Sequence, residues 1–253
     1  MVEEKKNELE RYSFSKLNSF HTCKYGYKLR YIDHLVGITN CFSSYGILVH
    51  SIMERYANKL LTLDDLSNIY EWEFSTAVPE PFPKSSFCKN MRDLYYEQGL
   101  DFLTNFKGYG DSKILCVEKQ FDFQIDDWIF NGVIDLVYET PDGKLILQDY
   151  KSKSSFKSKK EQKEYARQLY LYSLHIKETY GKYPDTLRFY MFRKNTIVDI
   201  PFNEKDFEEA VEWAKSTVQE IRGCWVWNPT CDKFFSENLC NHREYCTEKI
   251  KEE

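Results

Sequence analysis

The sequence lacks several features that would narrow its role at once. No apolar stretch in its 253 residues approaches the roughly 20 needed to span a bilayer, so no membrane helix is expected. Residues 1–11 are charged and carry no apolar core of the kind a secretory leader needs, so an intracellular, cytoplasmic protein is the expectation. Positive charge is not in excess: 35 Lys and Arg against 40 Asp and Glu leave a formal net charge of −5. That excludes a uniformly basic nucleic-acid coat, but not a local basic stripe. No internal repeat and no long flexible linker is visible. An intracellular setting also argues against a disulfide framework among the eight cysteines.

What is present reads as helices, then strands, then helices. Residues 13–33 form a helical segment, capped by Ser13 or Ser15 and lined by Leu17, Phe20, Tyr27 and Tyr31. Residues 46–61 form a second helix. Residues 62–110 are helical and loop-rich, interrupted by Pro79, Pro81 and Pro83. Strands are expected over 113–124, 128–139 and 144–151, with turn chemistry at Pro141-Asp142-Gly143. A helix over 161–180, strands at 186–192 and 196–201, and a helix over 207–221 complete a mixed α/β pattern. A cysteine-rich tail ends in charged residues 249–253, which should fray.

The chemistry concentrates in Gly132-Val133-Ile134-Asp135 and Gln148-Asp149-Tyr150-Lys151. Neighbouring strands would bring Asp135 and Asp149 together, and Asp149 and Lys151, two apart, share one face. Carboxylates converging on an apolar hairpin are costly unless a cation compensates them, and Mg²⁺ or Mn²⁺ would take their oxygens. An ordinary charged surface hairpin is the competing account. His50 and Glu54 share a helical face, as do Gln168 and Tyr172. A lone histidine on such a helix is more often a satisfied partner than a ligand, and Gln168 with Tyr172, taken alone, reads better as the polar surface of an amphipathic helix. Lys151, Lys153, Lys157, Lys159, Lys160 and Lys163 crowd one segment that can meet a phosphate backbone.

Taken in order, these parts resemble the RecB-type and Cas-four-type exonucleases of the PD-(D/E)XK superfamily. The resemblance begins at Ser13-Phe14-Ser15-Lys16-Leu17-Asn18-Ser19-Phe20-His21-Thr22-Cys23 and continues through Gly46…His50, Gly132…Asp135, Asp149-Tyr150-Lys151 and Gln168…Tyr172 to the terminal cysteines. It implies a restriction-endonuclease-like core, a central mixed sheet flanked by helices, in a single domain over 1–253. A helical part (1–110), a nuclease core (111–222) and a Cys-rich tail (223–253) make up that domain. It implies His50, Asp135, Asp149 and the Tyr150 carbonyl as ligands of Mg²⁺ or Mn²⁺, and Lys151 as the catalytic lysine. Gln168 and Tyr172 would contact DNA or position that lysine, and Glu118 would support the site from an outer shell. Lys153, Lys157, Lys159 and Lys160 would hold DNA.

The same resemblance implies a 4Fe-4S cluster on Cys23, Cys240 and Cys246, with Cys231, or else Cys224, as the fourth thiolate. The usual cysteine before the last pair is absent, Ser236 and Glu237 standing there. Zinc at these thiolates, or no metal, remains the alternative. The implied activity is metal-dependent exonucleolytic hydrolysis of single-stranded DNA or DNA ends, in repair, recombination or CRISPR spacer acquisition. A helicase or CRISPR-integrase partner is implied too. The competing roles are a non-catalytic DNA-end-binding subunit and a metal-stapled interaction module.

Overall fold

Alternating apolar residues in the middle of the chain build a sheet with two buried faces, and the flanking helices cover both. The computed structural model describes residues 9–84 and 88–246, so the charged end at 249–253 lies outside the described residues. In chain order the elements are β1 (Arg11–Tyr12), α1 (Phe14–Thr22), α2 (Lys24–Tyr31), α3 (Cys41–Ala57), α4 (Asp65–Ala77) and α5 (Met91–Asn105). Then come β2 (Lys113–Ile125), β3 (Trp128–Glu139), β4 (Leu145–Lys151), α6 (Lys159–Tyr180), β5 (Thr186–Met191), β6 (Thr196–Pro201) and α7 (Glu204–Arg222). No helix among the described residues is long and apolar enough to cross a membrane.

The sheet is mixed, as expected. β2 and β3 form a long antiparallel hairpin around Asp126 and Asp127. β4 and β5 run parallel, joined by α6, and β5 and β6 are antiparallel. The second edge of β3 is shared. Near its start it pairs with β1 at Ile129 and Phe130, and near its end with β4 from Leu136 to Glu139. Residues 131–135 lie between those two neighbours, and this gap decides where the site can form.

Two apolar cores sit on opposite faces. Leu17, Phe20, Leu169, Ala214 and Val218 pack from α1, α6 and α7 onto one face. On the other, Val49, Ile52, Leu66, Tyr70 and Phe102 of α3, α4 and α5 pack with Tyr150 and Phe192. β4 is buried on both faces, so Leu147 joins the first core and Tyr150 the second.

The structure departs from the sequence reading at the N-terminal helix. Residues 13–33 are two helices, because Cys23 is extended (φ −158, ψ 107) and its Sγ accepts the Gly26 N–H at 3.4 Å, starting α2 afresh. Apolar periodicity runs through the break because Phe20 and Tyr27 enter the same core. α3 starts at Cys41, five residues before the expected Gly46, since the Asn40 side chain accepts from the N–H groups of Phe42 and Ser43. β1, two residues long, is too short for any alternation to show.

Gly132 lets a side chain of α6 lie close against β3. A Cβ there would lie 2.8 Å from the Tyr172 ring and 2.9 Å from that of Phe121. Gly132→Ala should therefore destabilise the fold by about 1–3 kcal/mol through overpacking, measured by urea unfolding. An unchanged midpoint would show that the two rings move aside freely.

Candidate metal centre

β4 alternates, so Asp149 and Lys151 face α6 while Gln148 and Tyr150 face the opposite core. The ladder between β3 and β4 reaches Leu136 and Gln148 and then stops. One step further the strands part, and the Tyr150 N–H donates at 2.9 Å to the Asp135 side-chain Oδ2. Across the hairpin, Glu118 faces Asp135. Neither residue belongs to the ladder, and Glu118 has φ +43. A non-glycine residue in that region is strained, and such strain collects at functional positions.

α3 supplies His50. Its Nε2 lies 2.9 Å from the Tyr150 carbonyl oxygen. A carbonyl only accepts, so Nε2 carries hydrogen in that contact and Nδ1 is the free nitrogen of the neutral ring. Nδ1 points at Asp135 Oδ2 (3.4 Å) and Glu118 Oε1 (4.0 Å). One ligand atom each from His50, Glu118 and Asp135 lie within 4.8 Å of one another.

The other half of the site hangs on α6, where Gln168 and Tyr172 sit one turn apart. The Gln168 amide nitrogen donates to Asp149 Oδ1 (3.0 Å) and to the Tyr172 hydroxyl (3.2 Å). Its oxygen accepts from Lys151 Nζ (2.8 Å). Lys151 Nζ also lies 2.8 Å from Asp149 Oδ2, a contact of opposite charges without hydrogen-bond geometry, so that buried oxygen keeps an unused lone pair.

The electrostatics show a site short of positive charge. Burial disfavours the His50 imidazolium, yet Asp135, Glu118 and Asp149 outweigh it and push its pKa up to about 9. Burial and the charge of Asp149 push Asp135 up to about 7, although His50, the Tyr150 N–H and Lys151 pull it down. Carboxylate oxygens, a neutral imidazole nitrogen and an orphaned Asp149 oxygen form a donor set suited to a hard divalent cation.

The structure thus brings His50, Asp135, Asp149, Lys151, Gln168 and Tyr172 into one place. The Tyr150 carbonyl is also there, bonded to His50. Glu118, expected only in an outer shell, stands beside His50 and Asp135. Its position was legible in the hairpin: counting back from Asp126 and Asp127 sets it opposite Asp135. The basic stretch is less free than its composition suggests. Lys153 is 2.7 Å from Glu161, and Lys163 pairs with Asp206 and Glu209. Lys157, Lys159 and Lys160 are exposed.

The cysteines draw the chain ends together. Burial raises Cys23, but N–H groups of Gly26, Thr230 and Cys231 and the Cys231 thiol bring it below its usual value. Cys231 is pushed up to about 12 by burial and by Cys23, and it also feels Cys240. The Cys224 thiol donates to the Val226 carbonyl. None of the eight cysteines is in a disulfide, and Cys246 is half-buried in the same tail.

Two cavities open onto the site. One of about 440 Å³ is lined by His50, Glu118, Gly46 and Ser152. The other, about 420 Å³, is lined by Lys151, Gln168, Tyr165, Arg30 and Cys23. Ser43 lines both.

Residues 11–247 match the family model of the PD-(D/E)XK nuclease superfamily. Among solved structures, a candidate exonuclease from Eubacterium rectale is similar at 13% identity, with 93% of this chain and 88% of its own covered and a TM-score of 0.50. A second, SSO0001, is 14% identical over 96% of this chain and 89% of its own, with a TM-score of 0.41. At these identities the likeness concerns fold alone. No curated protein matches the sequence.

Protons and cation should compete at this centre. Both His50 and Asp135 hold protons more tightly in the folded chain than their usual values of 6.5 and 3.8. The stability they add is therefore present at low pH and lost as pH rises, through about 7 for Asp135 and about 9 for His50. A cation displaces those protons, so Mn²⁺ should bind more tightly, and raise the melting temperature more, as pH rises from about 6 to about 9. Calorimetric titration at several pH values checks this, and affinity independent of pH would refute it.

Proposed function

Since the chain belongs to the PD-(D/E)XK nuclease superfamily, we propose that it is a divalent-metal-dependent deoxyribonuclease centred on His50, Glu118, Asp135, Asp149 and Lys151. The observation that carries this is the convergence, where β3 and β4 part, of a His–Glu–Asp cluster with a Lys–Asp pair held by Gln168. We read the described residues and the two chain ends as one nuclease domain.

His50, Glu118, Asp135 and Asp149 would hold Mg²⁺ or Mn²⁺ through Nδ1 and carboxylate oxygens. Such a cation, when bound, polarises a phosphate oxygen and acidifies water. Gln168 fixes Lys151 Nζ within reach of the same place, so its charge can meet the negative charge that builds on a phosphate under attack. Tyr172 holds the Gln168 amide in that orientation. The role is positioning: neither Gln168 nor Tyr172 has to touch the reacting atoms.

The preferred substrate in this reading is single-stranded DNA or a DNA end, digested exonucleolytically. What supports it is a pair of cavities of about 440 and 420 Å³ that share Ser43 in their walls, one beside His50 and Glu118 and the other beside Lys151 and Gln168. Tyr165 and Arg30 line the second and offer faces for unpaired bases. Exposed Lys157, Lys159 and Lys160 would hold the backbone outside it.

Cys23, Cys231, Cys240 and Cys246 would hold a 4Fe-4S cluster, the thiol contact of Cys23 with Cys231 being the support for it. Backbone contacts already clasp the ends, since Ile38 N–H donates to the Asn241 carbonyl at 2.7 Å. A cluster would staple a closure that exists. Pure anaerobic protein should be brown, absorbing near about 400 nm. A colourless sample with zinc by elemental analysis, or with no metal, rules the cluster out.

The test of function is release of nucleotides from end-labelled single- and double-stranded DNA, with and without Mn²⁺. Asp149→Ala and Lys151→Ala should each lower the rate by about a hundredfold or more while DNA binding and fold persist. Cleavage by either variant at the wild-type rate would sink the assignment. Tight DNA-end binding without any metal-dependent cleavage by the wild-type chain would point instead to a non-catalytic subunit.

A further inference from the structure

A cavity of about 670 Å³ lies on the other face of β4, behind the metal centre. It is lined by Gln148, Tyr109, Tyr138, Tyr190, Arg188 and Lys107, with other residues of the same loops. Its size falls within the roughly 300–1,000 Å³ of small-molecule sites. Three features distinguish it from a packing defect.

The first is Gln148. The residue is 2% exposed, and its amide nitrogen finds no hydrogen-bond partner among the described residues. Its oxygen has only a long contact, 3.5 Å, from the Tyr138 hydroxyl. A buried amide with two unused donors is costly, and β4 gives it no other place to go because its neighbours Leu147 and Asp149 take the opposite face. An amide also presents a donor and an acceptor side by side, the pattern a nucleobase edge answers.

The second feature is the aromatic wall. Tyr109 and Tyr138 lie 5.8 Å apart at 39°, and Tyr190 stacks on Tyr150 at 5.9 Å. The Arg188 guanidinium is locked in place, doubly bonded to Asp199 at 2.6 Å and donating to the Tyr138 hydroxyl at 2.7 Å. Rigid rings and a fixed guanidinium suit a flat, polar ligand. The third is charge at the rim. Arg188 is neutralised by Asp199, but Lys107 is exposed and makes no ion pair among the described residues. It is placed to meet a phosphate.

We propose that this cavity binds a nucleotide, its base against the tyrosines and paired with the Gln148 amide, its phosphate at Lys107. The site is separate from the metal centre, although Tyr150 touches both: its N–H bonds Asp135 and its hydroxyl lies 2.5 Å from that of Tyr109.

The experiment is calorimetric titration of the full-length protein in EDTA with deoxyadenosine monophosphate and, separately, deoxyadenosine. Chelating divalent metal keeps the metal-centre reading out of the result. Saturable binding of the monophosphate is expected, with Gln148→Leu about tenfold weaker. Lys107→Ala sits at the exposed rim and should fold normally. It should remove the preference for monophosphate over nucleoside while leaving nucleoside binding intact. Absence of saturable binding up to about 1 mM would overturn the proposal. So would undiminished binding by folded Gln148→Leu together with an unaltered phosphate preference in Lys107→Ala, which would leave the amide's nitrogen to an ordered water.

Discussion

Where β4 leaves β3, the Tyr150 N–H has no ladder partner, and Asp135 supplies one with its side chain. A buried amide left unpaired costs about 1–3 kcal/mol, so the carboxylate is held at the opening by the backbone's own requirement. Much of the site depends on that bond. It sets Asp135 beside His50 and Glu118, and it anchors residue 150, whose carbonyl receives the His50 N–H. One residue, Tyr150, through the N–H of the peptide before it and the carbonyl of the peptide after it, thus ties a strand, a hairpin and a helix together.

The charge distribution follows from the same geometry. Three carboxylates and an imidazole meet in a partly buried space with Lys151 as the nearest fixed cation, and that lysine is held by Asp149 and Gln168. Protons fill the deficit when no cation does, which is why both His50 and Asp135 titrate upward. The division of labour is physical: α3 and the β2–β3 hairpin carry oxygen and nitrogen donor atoms that could hold a cation, while α6 holds the lysine through one amide.

Alternation along β4 gives the strand two chemistries at once. Asp149 and Lys151 face α6 and the candidate metal centre, and Gln148 and Tyr150 face the opposite core and the aromatic cavity. A one-residue slip of β4 would exchange the two sets, so burial on both faces protects the register that keeps them apart. Gly132 and the Cys23 break play supporting parts. The first lets Tyr172 lie against β3, and the second starts the helix that the C-terminal tail closes over.

By itself the sequence determined the mixed α/β pattern, the strand limits around Asp135 and Asp149, and the pairing of Gln168 with Tyr172. All of these rest on local periodicity of two or 3.6 residues, which is written in neighbouring positions. It also contained the hairpin count that sets Glu118 opposite Asp135, although charge on a strand is common enough to hide it. What only tertiary structure decided is long-range. The Asp135 carboxylate replaces a ladder bond because β1 and β4 divide one edge of β3. Asp149 turns to Lys151 and Gln168, while His50 and Glu118 close on Asp135. Lys153 and Lys163, read as free cations from composition, are neutralised by acids eight and more than forty residues away. No local pattern encodes which distant carboxylate a lysine will meet, since that depends on how helices α6 and α7 settle on the sheet.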